Sequence, residues 1–441
     1  MTNYYLTMRN SFAKYYVFSK ALFVNLKEKG FFHLLSSKYL IRFIGFGSQL
    51  FVIKFLSPLE LGQIKTIQSF LGIAALAATF GFNTSVLKLC SEKNDYETKA
   101  AIFKNNYFYS LFSLTISMAA IFFLAKFKVL SPDDNINYWL PIFALSLPAS
   151  AFIAIAGNYL QALKKIKTLA KTQAAFSLIG FVSLTVLTYS FGFIGFVIST
   201  LFMSYIGVPI LYRILKEYLK SGPIDKEIKK RSVIYAVWSF AANLVGTLSG
   251  YLDIFILNFV LLDRADLGYY GVAAVFLLAL TQITQSLTEI AAPYLSEKSN
   301  DKKEFYRVLF KYEKILFIVS FILTLSTIFV LPFFISFVYG PSYSLSGTLF
   351  QILAIRFFLN SSFTLFGISV LAVGKMNYNF LSTALAVPIN FAITYYFAVN
   401  YGAIGAAIGQ VFAALVTLAF RFPISIYALK KHFNEISTNK Q

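Results

Sequence analysis

Apolar runs of about twenty residues recur along the whole chain, and no other property limits its fold as much. About 20 residues is what a helix needs to cross the hydrocarbon layer of a bilayer. Twelve runs can be placed: 38–57, 64–88, 105–125, 138–160, 169–190, 192–214, 233–260, 267–292, 313–338, 346–372, 377–399 and 402–428. A barrel strand needs only about ten residues and alternates in polarity, so the run length selects helices. Composition agrees. The chain has 441 residues, 58% hydrophobic and 13% charged, against about 45–50% and about 25% in soluble domains. The expected fold class is an all-α polytopic membrane protein.

Basic side chains collect on alternate loops. The leader, the second, fourth, sixth, eighth and tenth loops and the tail hold 31 of the 39 Lys and Arg; the opposite loops hold 5, and Arg42, Arg356 and Arg421 lie inside runs. Lys and Arg mark cytoplasmic loops. The expectation is an even number of spans, both termini cytoplasmic, in the cell (inner) membrane. The net charge of +20 is then a product of that bias. It needs no nucleic acid partner, and membrane lipid headgroups are the surface it meets.

Residues 1–37 form a basic N-terminal segment. Lys14, Lys20, Lys27 and Lys29 interrupt every candidate signal-peptide core. An amphipathic interfacial helix and a disordered leader both fit it. Cys90 is the only cysteine, and His33 and His432, the only histidines, lie outside the runs. No Walker motif and no Cys/His cluster is present, so no cofactor, no metal and no enzymatic chemistry are expected.

The chain repeats itself. "LGQIKTIQSFLGIAALAATFGFNTSVLKLCSEKND" (61–95) and "LGYYGVAAVFLLALTQITQSLTEIAAPYLSEKSND" (267–301) align without a gap. "QALKKIKTLA" (161–170) parallels "LAVGKMNYNF" (371–380), and "FGFIGFVIS" (191–199) parallels "YGAIGAAIG" (401–409). Six spans per repeat is an even number, so both halves start from the same side. That gives a parallel repeat about an axis along the membrane normal, a recurring transporter design. The expected organisation is a first six-helix bundle over 38–216, a cytoplasmic linker over 217–232 containing Gly222-Pro223, a second bundle over 233–430 and a tail over 431–441.

Charges in a bilayer are costly and usually face protein or a cavity. In the second run Lys65, Gln68, Gly72, Ala75, Thr79 and Asn83 recur three or four apart, which is one helix face. Arg42, Gly45 and Gln49 share a face in the first run; Asn243, Gly246, Gly250 and Asp253 in the seventh; Gln282, Gln285 and Glu289 in the eighth; Arg356 and Asn360 in the tenth. The glycines suit helix packing equally well. Arg42 and Lys65 can also snorkel from helix ends, and Lys54 and Arg421 read as anchors. Arg356 lies roughly 15 Å into its run, which makes snorkelling hard. The candidate substrate-binding set is Arg356, Arg42, Lys65, Gln68, Asn83, Asn243, Gln282, Gln285 and Asn360, with Asp253 and Glu289 for ion coupling or a salt bridge. The first half has no acid inside any run, so the cavity suits an anionic ligand.

From the seventh run to the ninth, the Asp before the outer loop, the Gly-Tyr-Tyr opening the eighth run, the Pro-x-x-Ser closing it and "FVYGPSYS" (337–344) form a pattern. With "FLSPLELGQIKTIQSFLGIAALAATFGFNTSVLKLC" (55–90) it resembles the polysaccharide transporter family, Wzx-type, of the multidrug/oligosaccharidyl-lipid/polysaccharide (MOP) flippase superfamily. The resemblance runs from about Lys38 to the end. It implies a MOP/MATE-like fold and a flippase that moves undecaprenyl-diphosphate-linked oligosaccharide, such as an O-antigen or capsule repeat unit, by alternating access. It also implies a polysaccharide polymerase and a chain-length regulator as candidate partners. Lipid II flippases of the superfamily usually carry fourteen spans and more arginines in the first half, which this chain lacks. A drug/cation antiporter would want an acid in the first-half cavity. A polysaccharide polymerase would want a long outer loop or an intramembrane His.

Overall fold

The computed structural model describes residues 31–438 except Ser221 and Leu262. The expectations for residues 1–30 and 439–441 fall outside the described residues. Thirteen α-helices follow in order: α1 (Phe31–Phe55), α2 (Pro58–Thr79), α3 (Phe82–Cys90), α4 (Tyr96–Lys126), α5 (Asp134–Ala144), α6 (Leu147–Ala162), α7 (Ile166–Leu215), α8 (Lys226–Val260), α9 (Arg264–Glu297), α10 (Lys302–Tyr339), α11 (Ser344–Ser362), α12 (Thr364–Ala372) and α13 (Met376–Thr438).

The helix starts are written in the sequence. Ser57-Pro58-Leu59-Glu60 is a capping box: the Glu60 backbone N–H donates to the Ser57 hydroxyl, and the Ser57 N–H donates to the Glu60 carboxylate at 2.8 Å. Asp95, Asp133, Asp225, Asp263 and Asp301 each cap the helix that follows. A quarter of the chain's 19 acids thus satisfies helix ends in loops, and few remain for the spans.

Twelve helical stretches suited to crossing a membrane can be counted among the described residues. Eight helical stretches among the described residues are long and apolar enough to cross a membrane, and the bent pair α5–α6 makes a ninth. Two of the eight are double. A straight helix of 50 residues, as in α7, would reach about 75 Å, far more than a bilayer. Gly192 breaks α7 with φ 57° and ψ −134°, and Gly402 breaks α13 with φ 59° and ψ −139°. These are left-handed conformations that glycine adopts without a Cβ penalty. The chain doubles back at each, since Ser183 meets Ser199 at 3.0 Å and Asn390 meets Thr417 at 3.0 Å. The apolar part of α1, Ile44–Phe55, is the twelfth.

Several boundaries differ from the expectation. The first described helix already includes residues 31–37, which the expectation places in the N-terminal segment. The seventh span starts at Lys226, which shortens the linker to a 3-10 turn at 216–218 and the residues up to Asp225. The expected tail is helical through Thr438. In each case the apolar run ends before the helix does, because backbone hydrogen bonding continues into polar turns.

The two halves are equivalent. The glycine breaks at 192 and 402 stand 210 residues apart, as do the left-handed residues Lys164 and Gly374 at the ends of α6 and α12. Helices α2 and α9, the repeated pair, pack on each other at the centre. A Cβ added to Gly62 would lie 2.6 Å from the Arg264 carbonyl oxygen, and one added to Gly268 would clash with the Pro58 carbonyl oxygen. Both pairs are four residues apart and 206 residues from their counterparts, so the contact is reciprocal, as a two-fold relation demands. Leu-Gly opens both repeats because only glycine lets these backbones meet.

The core divides unevenly along the helices. At the end where α2 and α9 begin, here the far end, one continuous cluster joins the halves, including Ile64, Ile67, Leu140, Leu257, Tyr270, Phe276 and Leu353. At the opposite end, where the chain enters α1, each half has its own cluster. One centres on Ile155, Tyr159 and Leu215, the other on Leu295, Phe305 and Leu365. The halves share one core at the far end and keep separate cores at the other, where α3 still packs on α8.

Candidate functional site

Between the halves lies a cavity of about 780 Å³, lined by polar residues of α1, α2, α8, α9 and α11. It collects Gln49, Lys65, Gln68, Asp253, Gln285, Arg356 and Asn360. A chamber of about 330 Å³ continues from it into the second half, sharing Arg356, Asn360 and Thr364, and ends at Arg421.

Each charge has a distinct setting. Lys65 makes no ion pair or hydrogen bond among the described residues, and its aliphatic stem packs over Gly271, where a Cβ would lie 2.7 Å from Cγ. Asp253 is buried and accepts from the Tyr270 hydroxyl at 2.6 Å and from the Ile254 backbone N–H at 2.9 Å. The Arg356 guanidinium stands 3.5 Å from the same carboxylate oxygen as Tyr270, with 22% of its side chain exposed to the cavity. Among the described residues Arg421 has no ion pair, and its Nε is buried without an acceptor. Three cations therefore face one carboxylate across the joined spaces.

The sequence-derived candidates divide into two groups. Lys65, Gln68, Asp253, Gln285, Arg356 and Asn360 share the cavity. Arg42, Asn83, Asn243, Gln282 and Glu289 do not line it. Arg42 donates to Glu289 at 3.0 Å and to Ser286 at 3.2 Å, bridging α1 and α9 toward the end where the chain enters. Asn243 turns back onto Ser239 of its own helix. The Asn83 carbonyl accepts from Asn158, which holds α3 to α6. Helical spacing put these residues on the right faces but could not say where along its length each face leaves the cavity.

Tyr251, Thr281, Thr284, Thr288, Ser361 and the chamber residues Asn390, Gln410, Thr417 and Arg421 were not among the candidates. A signal existed: Gln410, Ala414, Thr417 and Arg421 recur three or four apart on one face of α13. Arg421 corrects the reading of that residue as an interfacial anchor, because it ends the chamber and Gly367 leaves room for its side chain. A further acid, Glu313, is buried in α10 with neither carboxylate oxygen hydrogen-bonded.

A separate apolar groove of about 790 Å³ runs between α2, α4 and α8, lined by Phe70, Phe80, Phe112, Ile116 and Phe240 among others. A relay of rings links it to the polar cavity: Phe70 of the groove meets Phe255, and Phe255 meets Tyr251 of the cavity. At the entry end Phe80 stacks on Phe240 at 4.5 Å between centroids, closing α2 against α8. Nearer the start of α8, Arg231 and Glu92 pair at 2.6 Å.

The profile of a family described as polysaccharide biosynthesis protein matches residues 51–347. No curated protein matches the chain. Among solved structures, the chain is similar to the lipid II flippase MurJ in an inward closed conformation, at TM-score 0.73 and 16% identity over 92% of this chain and 91% of that one. An inward-facing multidrug resistance MATE family transporter of the MOP superfamily matches at 0.70 and 16%, over 88% and 95%. A MOP superfamily transporter from Pyrococcus furiosus Vc1 matches at 0.62 and 14%, over 92% and 95%. At these identities the likeness is one of fold.

Proposed function

The chain belongs to the polysaccharide biosynthesis protein family and has the MOP transporter fold, and from that premise we propose that it flips undecaprenyl-diphosphate-linked oligosaccharide across the cytoplasmic membrane. The observation that carries the reading is the cavity between the halves. Lys65 and Arg356 offer positive charge to a diphosphate, while Gln49, Gln68, Gln285 and Asn360 offer hydrogen bonds to sugar hydroxyls. The apolar groove beside α2 and α8 suits the isoprenoid tail, which has to stay in the bilayer while the head crosses.

The fused end faces outward and the divided end faces the cytoplasm in this reading, with both termini inside, because the basic loops all belong to the divided end. The structure then corresponds to an inward-oriented state. The entry side is held by Arg42–Glu289, Arg231–Glu92, the Asn106–Ser232 hydrogen bond, the Phe80–Phe240 stack and the close backbone approach of Gly81 to Ala236. The two ion pairs among them break at little cost, since exposed pairs are worth about 0–1 kcal/mol. Export of an anion from a negative cytoplasm gains about 2.3 kcal/mol per charge per 100 mV.

Antiport of a cationic drug is the weaker reading. Its ligand would meet Lys65 unpaired, and the first half contributes no carboxylate to the cavity. A cell lacking this protein should accumulate lipid-linked oligosaccharide on the cytoplasmic leaflet and lose surface polysaccharide. Normal surface polysaccharide without intermediate build-up would reject the proposal.

A further inference from the structure

Two residues that line the side chamber each carry a buried polar atom without a protein partner, and the two atoms are of opposite kind. Arg421 Nε is a donor without an acceptor, and Asn390 Oδ1 is an acceptor without a donor. The orientation of the Asn390 amide follows from its neighbour. The Thr417 hydroxyl donates to the Ala413 carbonyl at 2.8 Å, so towards Asn390 it can only accept, and Nδ2 faces it at 3.0 Å. Oδ1 is left over. Buried groups without partners cost about 1–3 kcal/mol each, so two of them on residues lining one space give an incoming polar group bonds to complete.

The surroundings define that ligand. No carboxylate lines the chamber, and Arg356 stands at its mouth. Arg356 already has Asp253, whereas Arg421 has no acid. The occupant therefore carries negative charge for the guanidinium and a hydroxyl for Asn390. At about 330 Å³ the chamber has the room of roughly ten waters at about 30 Å³ each, which suits one sugar ring. A diphosphate is tied to a membrane-bound tail, and this chamber is walled by α8, α11 and α13 of a single half, on the far side of the cavity from Lys65 and α2. The group that reaches it is one held away from the tail.

We propose that the Arg421 chamber is a subsite for an acidic sugar residue, with the carboxylate on Arg421 and a ring hydroxyl on Asn390. This rests on the flippase reading for its biological substrate. It makes the transported glycan a uronate-type, negatively charged one. Diphosphate recognition stays with Lys65 and Arg356 in the main cavity.

The test is binding to the purified full chain in nanodiscs by calorimetry, with glucuronic acid, glucose and inorganic pyrophosphate as probes. Glucuronic acid should bind at least about tenfold more tightly than glucose. Arg421→Gln should weaken glucuronic acid at least about tenfold, the loss of a charge-assisted bond, and leave pyrophosphate within twofold. Arg421→Lys keeps the charge without the fork and should weaken glucuronic acid severalfold, so the test survives if the Gln variant fails to fold. Equal binding of glucuronic acid and glucose, no binding of glucuronic acid, or a loss confined to pyrophosphate would overturn the subsite. If glucuronic acid binds through Arg421 but the protein flips no lipid-linked oligosaccharide of any charge, the flippase reading falls and the subsite stands.

Discussion

Gly62 and Gly268 hold the two halves together by pressing each helix onto the other's first turn. The Gly62 position lies against the Arg264 carbonyl, and Gly268 against the Pro58 carbonyl. The contact belongs to the fused end. Gly62→Ala or Gly268→Ala places a methyl inside the van der Waals distance of backbone that cannot rotate away. Each should lower thermal stability, by about 1–3 kcal/mol for an overpacked site. Each should also admit a thiol reagent from the far side to Thr281→Cys, a cavity position, while native Cys90 is buried. Wild-type stability and unchanged labelling in both variants would mean the far end has no need of this contact.

The Asp253 carboxylate takes Tyr270 and Arg356 on one oxygen. Removing a single partner of a buried pair leaves a charge behind, at a cost of up to about 3–5 kcal/mol. Asp253→Asn and Arg356→Gln should each lower the melting temperature, and the double variant should lose less than the sum. Export should fail in Arg356→Ala and return in part with Arg356→Lys. Strict additivity of the two melting shifts would show the pair to be energetically uncoupled.

At the entry end Arg42–Glu289 and Arg231–Glu92 bridge the halves, all four side chains partly exposed. Glu92→Gln with Glu289→Gln removes both pairs. At about 0.5 kcal/mol each the population with an open entry should rise about fivefold. Labelling of Thr281→Cys from the cytoplasmic side should quicken by that factor. An unchanged rate would mean that the packing of Phe80 and Gly81 on α8 and the Asn106–Ser232 bond hold the entry without the ion pairs.

Much of the fold is legible in the sequence because a bilayer imposes length and polarity rules that a single chain displays. Run length gives the crossings, and the Leu-Gly and Gly-Phe-Ile-Gly echoes give the repeat. The helix ends are less legible, since Lys226 begins a helix in a charged stretch, Lys226-Glu227-Ile228-Lys229-Lys230-Arg231, where hydropathy has nothing to mark. The cavity is legible by face but not by depth. Lys65, Gln68, Gln285, Arg356 and Asn360 meet there, while Arg42 and Asn243 share the faces and bond elsewhere. Arg421 shows the limit. Near the end of a run an arginine reads as a snorkelling anchor, and only the way α13 folds back at Gly402 turns it inward.

Reporter fusions test the orientation. Fusions after Gly222, Ser299 and Gly374 should report the cytoplasm, and fusions after Asp133, Asp263 and Gly340 the opposite side. One reversed site in either half would break the even count of crossings and the assignment of the divided end to the cytoplasm.

The most direct measurement is flipping by the purified protein in sealed vesicles containing fluorescent undecaprenyl-diphosphate-linked oligosaccharide, read by quenching of the outer leaflet. Wild-type protein should make the protected half of the lipid accessible. Lys65→Gln with Arg356→Gln should remove that activity while the protein still reconstitutes. The account is contradicted if wild-type protein leaves the protected half untouched, or if the double variant flips as fast as wild type.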